Sequence, residues 1–358
     1  MDDYNIDLSE GIKSIFPQSI PVPDLAACYE GLRKNLPSYN LNPKPQTNVT
    51  SRITTEEIRK RACSSMARGL RPFKIVKNDS DTWVICGAGP SLIDSIPTIR
   101  KLKRQGAYII TLNKTHDLLL EHGITPWGHI LLDPMPWVAE YVKRPRMDVR
   151  YFVASQCHDD VFEALKGYPV FLWHAAQDIE DGTSEPNIIL RKLWPNKPWW
   201  CIPGPTTVGL RAPFLASQMG PVRPRVFHLI GFDSSREGTK LHAMPKKEAE
   251  DAVSGTVTLT YKGARYQFDT NNHMKRQAED FDGIIDNMME YWKRDYLPKD
   301  IDLIVHGRGL LPFRAACLGL HATANDNPGS VVAPYIPKRG GAKFIPELKH
   351  LPLTADAL

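Results

Sequence analysis

Trp83-Val84-Ile85-Cys86-Gly87-Ala88-Gly89-Pro90-Ser91-Leu92 is the stretch on which the fold depends. Four apolar residues in succession suit a strand buried on both faces, and the two glycines that follow end it. Gly87 and Gly89 permit close approach of a ligand. Ser91 is then placed to open a helix whose unpaired N–H groups and positive dipole end receive an anion. A phosphate is the expected occupant. The turn matches neither GxGxxG nor the Walker sequence, since a third glycine at the required spacing and a Gly-Lys-Ser/Thr are both missing. A dehydrogenase or a P-loop hydrolase therefore does not follow. The plainer alternative is a tight turn whose glycines only let strand and helix pack.

Outward from this turn, short apolar runs alternate with amphipathic stretches, the pattern of βα units around a largely parallel sheet. Strands are expected at 83–86, 108–112, 129–132, 151–154, 170–173, 226–230 and 302–305. Helices are expected at 92–103, 115–122, 159–166, 207–219 and 272–291, each with apolar residues three and four apart. The fold class is α/β and Rossmann-like: an open, largely parallel sheet with helices on both faces. Residues 1–81, rich in proline and polar residues, form an N-terminal extension with helical stretches at 24–34 and 55–66. Thr54 through Glu57 mark the start of the second, a hydroxyl and early acids at the positive helix end. Residues 82–321 form the nucleotide-binding domain, with a β-hairpin inserted within about 234–269. Residues 322–358 form an extended tail.

Several polar residues fall at strand ends, where open α/β sheets collect ligands. Asn113 follows the second strand, Asp133 the third, and Asp233 comes after Gly231. An amide or carboxylate there can bind ribose hydroxyls, a base edge or a metal, although Asn and Asp also favour such positions for backbone reasons. Thr206 and Thr207 stand at a second strand-to-helix junction, either to meet a phosphate or sugar or to cap the helix. For acid–base work His242 and His273 flank the hairpin, and either can take the proton of an acceptor hydroxyl near neutral pH. No Ser/His/Asp pattern, HExxH or EF-hand loop is present, which disfavours hydrolase chemistry.

Composition narrows the class further. The chain has 358 residues, 42% hydrophobic and 24% charged, which excludes wholesale disorder and coiled coil. Its formal charge of +5 is spread over small scattered groups, compatible with anionic substrates and unlike the concentrated basic face of a nucleic-acid binder. Six widely spaced cysteines form no CxxC pair, so neither a zinc site nor a disulfide framework is suggested. The acidic start and the absence of a long apolar run give the expectation of a cytoplasmic protein without membrane insertion.

The ordered series Gly87-Ala88-Gly89-Pro90-Ser91-Leu92, Leu112-Asn113, Gly123-Ile124-Thr125-Pro126, Leu132-Asp133 and Gly231-Phe232-Asp233, with His242-Ala243 after it, resembles one known family. That family contains the flagellin-modifying Maf glycosyltransferases and the archaeal 6-hydroxymethylpterin diphosphokinase. The resemblance covers residues 83–312 and implies a Rossmann-like core. The chain is also similar to bacterial sialyltransferases that use CMP-sugars. On that likeness Gly89, Pro90, Ser91 and Asn113 are nucleotide contacts, Thr206 and Thr207 start a nucleotide-binding helix, and His242 or His273 is the base. The pterin enzyme tends to carry Asp-x-Asp for Mg²⁺ after the third strand, whereas here the sequence is Asp133-Pro134-Met135-Pro136. This departure favours transfer from a nucleotide-sugar donor, a CMP-sugar or another. The second reading is an ATP- and Mg²⁺-dependent diphosphotransferase using Asp133 and Asp233. The third is a non-catalytic binding or assembly protein. The acceptor stays open among a glycan, a protein, a small heterocycle and a modified nucleic-acid base, as does self-association into a homo-oligomer. The large flanking domains of the flagellin-modifying proteins are missing, so flagellin is not implied. The size would suit a phage or mobile-element enzyme.

Overall fold

The alternation of apolar runs and amphipathic stretches is realised as parallel strands joined by helices. The computed structural model describes residues 40–42, 53–175, 201–202, 205, 207–222, 224–237, 243, 254–261, 264–293, 302–317, 322–323, 335–338 and 341–344. Their elements, in chain order, begin with β1 (Asn40–Asn42), α1 (Thr55–Ala67), β2 (Arg71–Pro72), β3 (Lys77–Asn78) and β4 (Thr82–Cys86). Next come α2 (Ile96–Arg104), β5 (Tyr108–Leu112), α3 (Thr115–Glu121), β6 (Gly128–Leu131), β7 (Arg150–Ala154), α4 (Asp159–Ala164) and β8 (Val170–Ala175). They continue with β9 (Cys201–Ile202), α5 (Val208–Ser217), β10 (Gly220–Pro221), β11 (Val226–Ile230), β12 (Ser254–Tyr261), β13 (Ala264–Asn271) and α6 (Asn272–Lys293). The last are β14 (Asp302–His306), α7 (Leu310–Cys317), β15 (Ala322–Thr323), β16 (Tyr335–Lys338) and β17 (Gly341–Phe344). The chain groups into two units, one of residues 1–17, 50–83 and 108–224, the other of residues 18–49, 84–107 and 225–358.

In the first unit the strand order is β5-β6-β7-β8-β2, with β9 also beside β8. All these pairs are parallel, with Ile110 next to Gly128, Ile130 next to Phe152, and Val153 next to Leu172. Burial explains the composition of the strands: Ile109, Ile110, Ile130, Leu131, Phe152, Val153, Leu172 and Trp173 are all sealed from solvent, as near-continuous apolar strands of a covered parallel sheet are. The N-terminal stretch supplies α1, whose cap is the expected one, with Thr54 Oγ1 accepting from Glu57 N at 3.2 Å. It lies over the ends of β6 and β7, where Ser65 Oγ donates to Ser155 O at 2.9 Å and Arg61 to the carbonyls of Pro134 and Gln156.

In the second unit the order is β15-β14-β11-β4, and β11 runs parallel to β14 with Ile230 next to His306. The expected hairpin is present and longer than its sequence signal. β12 and β13 pair antiparallel from Ser254 beside Asn271 to Tyr261 beside Ala264, and β1 adds a third strand to β12. Phe268 and Tyr266 of β13 pack on Phe313 of α7, ring centroids 5.3 and 4.5 Å apart.

Three details differ from the sequence expectation. The helix after the glycine turn starts at Ile96, not at residue 92, because Pro90–Leu92 form a separate 3₁₀ turn. Helix α7 was not anticipated; its Pro312 falls in the first turn, where a missing N–H is harmless. The C-terminal stretch expected to be extended carries the paired strands β16 and β17. The helical stretch expected at 24–34 lies outside the described residues. Among the described residues no helix is long and apolar enough to cross a membrane.

Candidate functional site

The glycine turn is built at the end of β4, within the second unit. Gly87 N donates to Ile230 O at 2.7 Å and Gly89 N to Gly231 O at 2.8 Å, so the turn is stitched to the end of β11. The fit leaves no room for side chains: a Cβ on Gly87 would lie 2.6 Å from Gly231 O, and one on Gly89 would lie 2.4 Å from Asp233 Oδ2. Gly231 adopts φ +73 and presses back on Gly87 O. These glycines are thus required for backbone-to-backbone packing.

The anion at this turn is the protein's own. Ser91 N donates to Asp233 Oδ2 at 2.9 Å, and Arg308 N donates to Asp233 Oδ1 at 3.2 Å. Asp233 is 2% exposed, and burial pushes its carboxyl up to about 6 while the amides of Ser91 and Arg308 pull the other way. Ser91 Oγ is buried beside the same carboxylate and pulls in the same direction as the two amides. The amides expected to meet a phosphate at Gly87, Gly89 and Ser91 are therefore engaged by carbonyls and by a carboxylate. Pro90 is buried in the 3₁₀ turn. Ala88 differs: it is the half-exposed residue of the turn, and its carbonyl accepts from Ala243 N at 2.9 Å.

A third turn, which sequence reasoning missed, closes the cluster. Gly307 and Gly309 adopt φ +116 and +140, and a Cβ on Gly307 would lie 2.4 Å from Ser91 Oγ and 2.6 Å from Asp233 Oδ1. Leu310 N donates to Ser235 Oγ at 3.3 Å, and Leu311 N to Asp233 O at 3.3 Å. The available signal was the pair of glycines around Arg308 directly after an apolar run, the same punctuation as at Gly87 and Gly89.

The first unit holds its own strand-end residues. Asn113 follows β5 with φ 46, a left-handed backbone that asparagine tolerates better than most residues, and its buried Oδ1 has no hydrogen-bond partner. The turn is set by Thr115, whose Oγ1 accepts from Leu112 N at 2.8 Å and donates to Leu112 O at 2.9 Å. Asp133 Oδ1 accepts from Met135 N at 3.0 Å, shaping the loop after β6. Ser155 and His174, at the ends of β7 and β8, form a buried pair with Oγ 2.8 Å from Nδ1, and burial lowers His174 to about 3. Thr207 precedes α5 without capping it through its side chain. The junction is held instead by Arg211, which donates to Ile202 O at 2.9 Å and to Pro205 O.

Thr206 and His242 lie outside the described residues. His273 is exposed in the first turn of α6, whose start is capped by Asn271 Oδ1 accepting from Met274 N at 2.9 Å. Taken each by itself, Asp133 is tied to its own loop and Asp233 is sealed between two amides. Among the described residues no group of three His, Cys, Asp or Glu side chains is placed to hold a metal ion.

Residues 60–238 match the family described as 6-hydroxymethylpterin diphosphokinase MptE-like, half of the chain. The protein belongs to the MptE-like family. The match runs from α1 through the glycine turn to the loop after Asp233, and β14 with its Gly307–Gly309 turn lies beyond it. Among curated proteins no sequence matches this MptE-like chain. A solved MAf glycosyltransferase from Magnetospirillum magneticum AMB-1 is similar over 84% of this chain and 44% of its own, at 14% identity and a TM-score of 0.42. The MptE-like chain thus spans less than half the length of that protein. The crystal structure of a mammalian sialyltransferase is similar over 70% of this chain and 88% of its own, at 11% identity and a TM-score of 0.32.

Proposed function

We propose that this MptE-like protein is a transferase that takes a glycosyl group from a nucleotide-sugar and delivers it to a hydroxyl acceptor. The observation that carries the reading is the hydrogen bond from Ala243 N to Ala88 O, which brings the chain next to His242 to the half-exposed residue of the glycine turn. In this reading the donor phosphate lies along Ala88, on the side of the turn not engaged by Asp233. Asn113 Oδ1, a buried acceptor without a partner, receives a ligand N–H or O–H. Thr206 and Thr207 remain proposed contacts to the phosphate or sugar.

The chemistry needs one base. His242 removes the acceptor proton as the acceptor oxygen bonds to the anomeric carbon, while the bond from that carbon to the phosphate oxygen breaks and the nucleotide leaves with both electrons. His273, exposed beside the end of the hairpin, is the alternative base. A panel of CMP-, UDP-, GDP- and TDP-sugars tests the assignment directly. Turnover or binding of one donor is expected, reduced by His242→Ala and by Asn113→Ala; failure to bind any donor removes the reading.

The family name favours a second reading, transfer of diphosphate from ATP to a hydroxymethylated heterocycle. Release of AMP dependent on Mg²⁺ and on such an acceptor would select it, with metal ligands other than Asp233. Retention of biological activity after replacement of Asn113 and both histidines would select a non-catalytic binding role instead.

A further inference from the structure

We propose that Arg61 is a positioning residue: it holds the peptide unit that aims the Asp133 carboxylate, and Asp133 accepts from a hydroxyl of the donor at the end of β6. The inference rests on the proposed transfer from a nucleotide-sugar. Every residue involved belongs to the first unit.

The coupling runs through one peptide unit. Asp133 Oδ1 accepts from Met135 N at 3.0 Å, and the carbonyl of that same unit, Pro134 O, accepts from Arg61 Nη1. A trans peptide is planar, with its C=O and N–H pointing opposite ways. Fixing the carbonyl toward α1 therefore fixes the direction of the N–H that receives the carboxylate. The carbonyl before Asp133 is held as well, Leu132 O accepting from Gln156 Nε2 at 3.1 Å. Arg61 itself is steadied from its own helix, where Nε donates to Glu57 Oε1 at 2.8 Å, and its side chain is 12% exposed.

Docking of α1 does not need this arginine. Ile58, Ala62 and Met66 are buried along the helix, Ser65 Oγ is bonded to Ser155 O, and Arg68 pairs with Asp159 and Glu163. Arg61 instead reaches past the helix to the loop that follows β6. What that loop presents is an acceptor. One oxygen of the half-exposed Asp133 is spent on Met135 N, and among the described residues no cation pairs with the carboxylate. Asn113 Oδ1, a buried acceptor without a partner, follows the neighbouring strand, for β5 and β6 run parallel with Leu112 next to Ile130. A carboxylate and an amide oxygen at adjacent strand ends suit a ligand that brings hydroxyl donors, and the charge of the first opposes a phosphate.

Binding of CMP-, UDP-, GDP- and TDP-sugars to the full chain, and of the same nucleotides without the sugar, tests this in a double-mutant cycle. Asp133→Ala and Arg61→Gln should each weaken binding of the donor that the wild type takes by roughly ten-fold, the scale of one hydrogen bond to a charged group. The rate at saturating donor should change little. Arg61→Lys keeps the charge and one donor and should recover part of the loss. In the Asp133→Ala background Arg61→Gln should cost nothing more, because a residue that acts through another is silent once that other is gone. Equal losses with the bare nucleotide assign the ribose hydroxyls, and losses seen only with the intact donor assign the transferred sugar. Hydrogen exchange at Met135, the one backbone amide of residues 134–136 because prolines flank it, should quicken in Arg61→Gln. If Arg61→Gln fails to fold, Arg61→Lys carries the same cycle with a smaller loss. Full affinity in Asp133→Ala, or additive losses in the double variant, overturns the proposal and leaves the donor reading standing. Binding of no nucleotide-sugar at all removes the donor reading and the hydroxyl assignment with it.

Discussion

Replacing Asp233 with asparagine tests whether the buried carboxylate at the glycine turn is held against its preference for neutrality. Burial raises its pKa from the ordinary 3.8 to about 6, outweighing the amides of Ser91 and Arg308 that favour the charge. A rise of that size corresponds to roughly 3 kcal/mol. The sign follows from which state binds more protons. Between the two values the folded protein keeps the proton that the unfolded chain has lost, so this group's contribution is fully present below 3.8 and is lost as pH rises through about 6.

The buried pair His228 and His306, Nδ1 2.8 Å from Nε2, acts in the opposite sense over an overlapping range. Burial lowers these imidazoles to about 4 and about 3, so their contribution is present above 6.5 and is lost as pH falls through those values. A simple stability profile would mix the two effects. The difference between wild type and Asp233→Asn isolates the carboxyl, because the histidines are common to both. Urea unfolding of both proteins at intervals from pH 4 to pH 7 should show the difference moving in the variant's favour by roughly 3 kcal/mol as pH rises. A flat difference would refute the reasoning. A trend in favour of wild type would mean that the two amides win over burial and hold the carboxyl below its ordinary value.

The remaining predictions concern backbone space and the ligand side of the strands. Gly89→Ala should destabilise by about 3 kcal/mol or more in chemical denaturation, since its Cβ would meet Asp233 Oδ2 at 2.4 Å and Gly231 O at 2.6 Å. Gly283→Ala, in the interior of α6 with open space around the added methyl, should instead raise stability by about 0.5–1 kcal/mol. Asn113→Gly should relieve the left-handed backbone and keep or raise the melting temperature. It should also weaken binding of the donor by about ten-fold in calorimetry, the loss of one hydrogen bond of about 1.4 kcal/mol. Unchanged affinity in that variant would detach Asn113 from the ligand.

Strand positions were legible to within a residue or two because the signal is local. The runs at 108–112 and 226–230 coincide with β5 and β11, and the others shift at one end only or by a single residue. The hairpin was legible as well, from alternating residues around Lys262-Gly263, although its partner β1 was not, since strand pairing between residues 42 and 256 leaves no local trace. Asn113 was placed correctly at a strand end. Its buried, unpartnered carbonyl could not be read from the residue type, because most asparagines in such turns satisfy themselves.

By itself, then, the chain's apolar periodicity and glycine punctuation determined an α/β protein of parallel strands with a tight turn after β4, for these depend on neighbours a few residues apart. Which anion sits at that turn was decided only by tertiary structure. Ser91 and Asp233 are 142 positions apart, and Arg308 lies 75 beyond Asp233. A free amide at a glycine turn attracts any negative charge, ligand or side chain alike. Folding brings one of the protein's own carboxylates to this turn, and so moves the proposed ligand to the Ala88 side.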